Sequence, residues 1–254
     1  MFGILMAPIL TYNWILIVAA VAPAIYLMVK VYRSDRLEPE SPGMLINMAV
    51  SGIISALIAI VLERIGSFIL DLIVPQSSGL YNIIMFFVIV AFSEEGAKFY
   101  MLRRRSWFSA EFNCQYDGIV YAVFVSLGFA LFENIMYVFQ YGFSTALVRA
   151  VTAIPGHASF GVFMGAFYGL ARGAAYMGLK ARSKTYRNMA VIIPALVHGT
   201  YDYIASMGTT FGSLIFVVFI IILFFTANHL VNRMSANDQY ITNRGRSDFD
   251  WHTY

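Results

Sequence analysis

Seven apolar runs, each close to the ~20 residues a helix needs to cross a bilayer, occupy most of this chain. They are Tyr12–Tyr32, Met44–Leu70, Leu80–Leu102, Gly118–Tyr141, Ala150–Leu170, Asn188–Met207 and Phe211–Val231. A backbone surrounded by lipid must satisfy its own hydrogen bonds, and runs this long and continuous do so as helices. Composition agrees, with 59% hydrophobic and 12% charged residues against about 45–50% and about 25% in ordinary soluble domains. The chain is therefore expected to be an all-α, polytopic transmembrane bundle of about seven spans. Residues 1–234 are expected to form one integral membrane domain with a motif-bearing core at 80–207, and residues 235–254 a polar cytoplasmic tail.

Charge sets the expected orientation. Fourteen of the 17 Lys and Arg residues fall in alternate connecting segments or in the tail, which by the positive-inside rule predicts an external N-terminus and a cytoplasmic C-terminus. The first run is followed, not preceded, by Lys30, Arg33 and Arg36, so it reads as an uncleaved anchor. A formal net charge of +3 with scattered basic residues gives no support for nucleic-acid binding. The single cysteine, Cys114, cannot form an intramolecular disulfide.

Seven ionisable residues lie at bilayer depth: Glu94, Glu95 and Lys98 in the third run, Glu133 in the fourth, His157 in the fifth, and His198 and Asp202 in the sixth. Inserted separately, they would cost on the order of 20 kcal/mol, so they are expected to converge on a shared wet cavity. Glu94 and Lys98 are four apart and share a helix face, as do His198 and Asp202, whereas Glu95 points about a quarter turn away and needs a partner of its own.

Each feature also has a structural reading. Glu94 and Lys98 can form a simple ion pair, Glu133 with Asn134 an interhelical clamp, His157 after Ile154–Gly156 can mark a helix break, and His198 with Asp202 can be a satisfied buried pair. That four successive spans each turn polar groups inward favours a common site. Glu63, Arg64 and His229, nearer span ends, read as interfacial charges.

Carboxylates and imidazoles held in a partly dry cavity suit water activation, with a Glu as general base and Asp202 fixing the orientation of His198. The chain has no H-E-x-x-H zinc motif and no serine in a G-x-S-G context. Its Tyr-Asp pairs, Tyr116-Asp117 and Tyr201-Asp202, lack the G-x-G-D partner of an intramembrane aspartyl site.

Four segments carry a resemblance. "EEGAK" (Glu94–Lys98) fits E-E-x-x-K, "FALFEN" (Phe129–Asn134) fits F-x-x-x-E-N, "HGTYD" (His198–Asp202) fits H-x-x-x-D, and "PGHASFG" (Pro155–Gly161) supplies context between the last two. In this order, each in its own span, they resemble the PrsW family of bacterial intramembrane proteases, distant relatives of the CAAX prenyl endopeptidases and bacteriocin-processing proteins. The resemblance covers roughly residues 92–202 and leaves the first two spans unmatched.

It implies a membrane-embedded endopeptidase of the bacterial cytoplasmic membrane that makes the site-1 cut in a single-span substrate such as an anti-sigma factor. Glu94, Glu95, Glu133, His157 and His198 would be catalytic, supported by Lys98, Asn134 and Asp202. Zinc or another divalent metal would be held by Glu95, Glu133, His157 and His198. A Glu/His site needing no tightly held metal is equally open. A proton-coupled transporter and a noncatalytic helix-binding scaffold are the alternatives; the chain lacks the internal symmetry that many transporters show.

Overall fold

The computed structural model describes residues 2–241, and side chains from Trp14 onward. Its helices are α1 (Phe2–Arg33), α2 (Pro42–Ile73), α3 (Gly79–Ile83), a π-helical segment (Ile84–Ala91), α4 (Phe92–Ser106), α5 (Asp117–Tyr141), α6 (Phe143–Val151), α7 (Ala153–Tyr176), α8 (Lys180–Ala205) and α9 (Thr210–Ala236). Among the described residues there is no strand, only an isolated bridge between Cys114 and Tyr240. The protein is a helical membrane bundle.

Six helical stretches are long and apolar enough to cross a membrane. The seventh expected span lies in α8, whose 26 residues are sufficient in length. Its start carries Lys180, Arg182, Lys184 and Arg187 and the remainder Asn188, His198 and Asp202, which together leave it short of apolar residues although it lies along α7. The run expected at Ala150–Leu170 is divided, because the backbone breaks at Thr152 between the short α6 and α7. Pro155 then falls in the first turn of α7, where the missing N–H costs no helical hydrogen bond.

Short connections fold the helices back on one another. Hydrogen bonds from Tyr116 to the Val31 carbonyl, from Ser235 to the Ser34 carbonyl and from Ser183 to the Ala171 carbonyl tie one end of the bundle together. That end collects the C-termini of α1, α4, α7 and α9, and with them Lys30, Arg33, Arg103, Arg104, Arg105 and Arg233. The start of the segment set apart in sequence as a tail is seated there too. Tyr116 N donates to Asp238 Oδ1 at 2.9 Å, Ile241 N donates to the Asn113 carbonyl at 2.6 Å, and Ile241 is buried. The remainder of that segment lies outside the described residues.

Helices α5 and α7 form the centre. Gly161, Gly165, Gly169 and Gly173 recur every four residues along α7, the spacing that lets membrane helices approach backbone to backbone. A β-carbon at Gly165 would overlap the Gly118 carbonyl oxygen of α5. Opposite, Gly52 of α2 and Gly128 of α5 meet each other's helix backbones in the same way. These contacts fix α2, α5 and α7 relative to one another, and thereby the side chains they carry. The outer surface exposes large apolar residues, among them Trp14, Phe68, Phe211 and Phe225, an extent of apolar surface that suits contact with lipid.

Candidate active site

Lys98 is the centre of the polar cluster. It is fully buried, and its Nζ lies 2.7 Å from Glu95 Oε1, 3.1 Å from Glu94 Oε2 and 3.3 Å from His157 Nδ1. The ammonium also sits 4.0 Å over the Phe129 ring, a favourable position for a desolvated cation. A four-carbon stem reaches back to both i−3 and i−4, and Glu95 has in addition a partner of its own in His198, whose Nδ1 lies 3.0 Å from Glu95 Oε1. Glu95 shares Lys98 with Glu94 and makes the shorter bond.

Two imidazoles extend the cluster across the bundle. His198, on α8, has Nδ1 3.0 Å from Glu95 Oε1 and Nε2 3.4 Å from Asp202 Oδ2, so each ring nitrogen faces a carboxylate. His157, on α7, has Nδ1 at Lys98 and Nε2 2.9 Å from Glu133 Oε2. The two rings are nearly perpendicular with centroids 5.6 Å apart, and Phe160 stacks on His198 at 4.6 Å. All seven polar residues singled out in the sequence therefore belong to one connected network spanning α4, α5, α7 and α8. The supporting Asn134 touches none of the seven directly: it donates to the Ala20 carbonyl of α1 at 2.7 Å and accepts from Arg149 at 2.7 Å.

The local backbone explains the approach of α8. The π-helical segment directly precedes Glu94 and Glu95, and such segments are frequent at functional sites. Its Phe87 packs against Gly199, where a β-carbon would come within 2.6 Å of the ring. A larger residue beside His198 would push the two helices apart.

Two further residues join the site. Arg149, at the end of α6, donates from Nη2 to Glu133 Oε2 at 2.8 Å and from Nε to Asn134 Oδ1 at 2.7 Å, with its guanidinium 4.2 Å over Tyr137. Glu63 of α2 lines the same cavity, which corrects its interfacial reading; its neighbour Arg64 is exposed. The only sequence sign of either residue was a charge near the end of a span, which also describes an ordinary interfacial residue. The cavity has a volume of about 300 Å³, and Glu94, Glu133, His157, His198 and Asp202 reach its wall. Glu95 stands behind them, fully buried.

A family model, PrsW family intramembrane metalloprotease, matches residues 40–227. The chain belongs to the PrsW family. It is 34% identical to the Protease PrsW of Bacillus subtilis (strain 168) over 189 residues, 74% of this chain and 82% of that protein. It is 30% identical to that of Halalkalibacterium halodurans over 224 residues (88% and 99%) and 33% identical to that of Oceanobacillus iheyensis over 221 residues (86% and 95%). No solved structure matches the chain. As a member of this family the protein is a membrane-embedded protease, and the match takes in α2, which the sequence motifs left out.

The family's description as metalloproteases implies a metal. Glu94, Glu95 and His157 offer ligand atoms that all lie within 4.8 Å of one another. Glu95 Oε2 is buried with no hydrogen-bond partner among the described residues. Carboxylate oxygens and an imidazole nitrogen are suitable donors for zinc, so these residues fit such an ion chemically. The set differs from the one expected from sequence, since Glu133 and His198 stand outside it, each hydrogen-bonded to one of its members. The same three groups surround Lys98 Nζ, so in this arrangement the ammonium provides the positive charge on which they converge.

Proposed function

We propose that this PrsW-family protease makes the site-1 cut in a single-span membrane protein of the anti-sigma factor type, in the bacterial cytoplasmic membrane, by attack of an activated water. The reading rests on the cavity of about 300 Å³ that brings Glu94, Glu133, His157 and His198 together among membrane helices. Glu94 faces that cavity and has Lys98 as its close partner, so it is the base that takes the proton from water. Glu133, held by Arg149 and His157, orients that water from the opposite wall. Glu95, which the cavity does not reach, positions His198 and Lys98. The positive charge of Lys98 favours the oxyanion that develops on the scissile carbonyl.

A bound divalent metal, held by Glu94, Glu95 and His157, would polarise that carbonyl and acidify the water.

Depth fits the proposed step. With ~1.5 Å rise per residue, Glu133 stands about 24 Å along α5 from Asp117 at the basic end. If the basic end faces the cytoplasm, Glu133 lies in the external half of a ~30 Å hydrocarbon core, the side from which a site-1 cut is made. Glu94 is about 16 Å from Arg105 by the same measure, near the midplane.

The test is cleavage of single-span substrates, an anti-sigma factor among them, by purified full-length protein in detergent. Wild type is compared with Glu94→Ala, Glu95→Ala and His198→Ala. Loss of cleavage in variants that keep their helical circular dichroism and elution volume is the expected outcome. Cleavage surviving in all three refutes the proposed site. Plasma mass spectrometry of the same preparation measures bound metal per chain.

A further inference from the structure

A second cluster of carboxylates lies at the basic end of the bundle, about 24 Å along α5 from Glu133 by helical rise. Asp35 and Glu40 come from the α1–α2 connection and Asp117 from the first turn of α5. Their ligand oxygens all lie within 4.8 Å of one another, although the surrounding segments are rich in Lys and Arg. Among the described residues, no ion pair compensates any of the three.

Each carboxylate is anchored by conventional hydrogen bonds. Asp117 Oδ2 accepts from the Asn113 and Cys114 amides at 2.9 and 2.7 Å. Glu40 Oε2 accepts from the Tyr121 hydroxyl at 2.5 Å, and Asp35 Oδ1 from the Leu37 amide at 3.3 Å.

The other oxygens of the two aspartates are what the fold leaves unexplained. Asp117 is 1% exposed and Asp35 is 9% exposed, yet Asp117 Oδ1 and Asp35 Oδ2 are buried with no hydrogen-bond partner among the described residues. An unsatisfied buried carboxylate oxygen is costly, and here two of them belong to a group that already repels itself. A hard divalent cation satisfies such oxygens directly, and an all-carboxylate set of this kind suits Mg²⁺ or Ca²⁺ better than zinc or copper.

We propose that Asp35, Glu40 and Asp117 form a site for a hard divalent cation, Mg²⁺ or Ca²⁺, which ties the α1–α2 connection to the start of α5. The site is separate from the protease cavity and does not depend on the reading of that cavity. Its effect is mechanical, since α5 carries Glu133 at its far end and is held between α2 and α7.

The experiment uses full-length protein in detergent, stripped with EDTA and melted in MgCl₂, in CaCl₂, or in NaCl of matched ionic strength. At a cation concentration about a hundred times its Kd, the melting temperature is expected to rise by about 5–10 °C over the NaCl control. Glu40→Gln and Asp117→Asn are expected to abolish that rise. The asparagine keeps one oxygen for the Asn113 and Cys114 amides while turning an amide into the cluster. Should Asp117→Asn fail to fold, Glu40→Gln carries the comparison. Equilibrium dialysis with ⁴⁵Ca²⁺ gives the number of ions per chain. No rise with either cation overturns the proposal, and so does a rise that persists in the folded variants, because the ion would then be bound elsewhere.

Discussion

Replacing Lys98 with methionine removes an ammonium from the centre of the site while keeping a flexible side chain of similar length. The cost follows from what the ammonium touches. Glu95 Oε1 at 2.7 Å and Glu94 Oε2 at 3.1 Å both lose the ammonium, and Glu95, fully buried behind the cavity that Glu94 faces, cannot turn to water when it is lost. Breaking a buried ion pair from one side costs about 3–5 kcal/mol, corresponding to a fall of about 6–20 °C in melting temperature for a chain of this size. Unfolding in detergent, followed by tryptophan fluorescence, measures it directly, because Trp107 is buried at the end of the same helix.

The double change Lys98→Met with Glu95→Gln removes one of the stranded charges and is expected to recover at least half of the loss, a coupling that a mere packing defect would not produce. Zinc supplies a further arm. If Glu94, Glu95 and His157 can gather around a metal as they gather around the ammonium, added Zn²⁺ stabilises Lys98→Met more than wild type. A melting temperature within about 2 °C of wild type, or a double variant no more stable than the single one, refutes the argument that Lys98 holds the site together.

The other predictions test the frame around that centre. Gly165→Val places side-chain atoms where α7 meets the Gly118 backbone, and is expected to cost at least about 3 kcal/mol by overpacking; a yield and melting temperature equal to wild type would contradict the close contact. Arg149→Ala removes the charged hydrogen bonds to Glu133 and Asn134, each worth about 1.5–3 kcal/mol. Substrate cleavage is expected to fall roughly 10- to 150-fold without loss of folded protein, and unchanged turnover would remove Arg149 from the site. Glu63→Gln keeps the shape of a cavity-lining side chain and removes its charge; it is expected to change cleavage more than melting temperature, with the reverse pattern pointing to a structural role.

The convergence of Glu94, Glu95, Lys98, Glu133, His157, His198 and Asp202 was legible because lipid makes isolated ionisable groups expensive, so a sequence that keeps seven of them in apolar runs must bring them together. The detail of their pairing was not legible in the same way. The direction of Glu95 follows from helical periodicity, but its partners depend on how α8 brings in His198 and on how far a lysine stem can bend, and the stem reaches two carboxylates at once. Arg149 and Glu63 were obscured by their position near span ends, where snorkelling gives any charge an inexpensive solution. Arg149 takes a site position because the backbone turns at Thr152, and nothing in "VRAVTAIPG" specifies the angle of that turn.

The π-helical segment has even less of a signature. Ile84–Ala91 contains no glycine, proline or polar residue, and its wider turn is stabilised by Phe87 meeting Gly199 on a helix more than a hundred residues later in the chain. The glycine repeat on α7 lies between these cases, since its spacing announces a close helix contact while leaving the partner open. α5 is that partner because Gly118, Ser126 and Gly128 leave room on two of its faces, so that α7 docks on one and α2 on the other. Residue chemistry thus indicates that a buried site must exist, whereas its geometry is set by small residues that carry no chemistry. Substitutions at Gly165 or Gly199 should therefore disturb the site while leaving all of its ionisable groups in place.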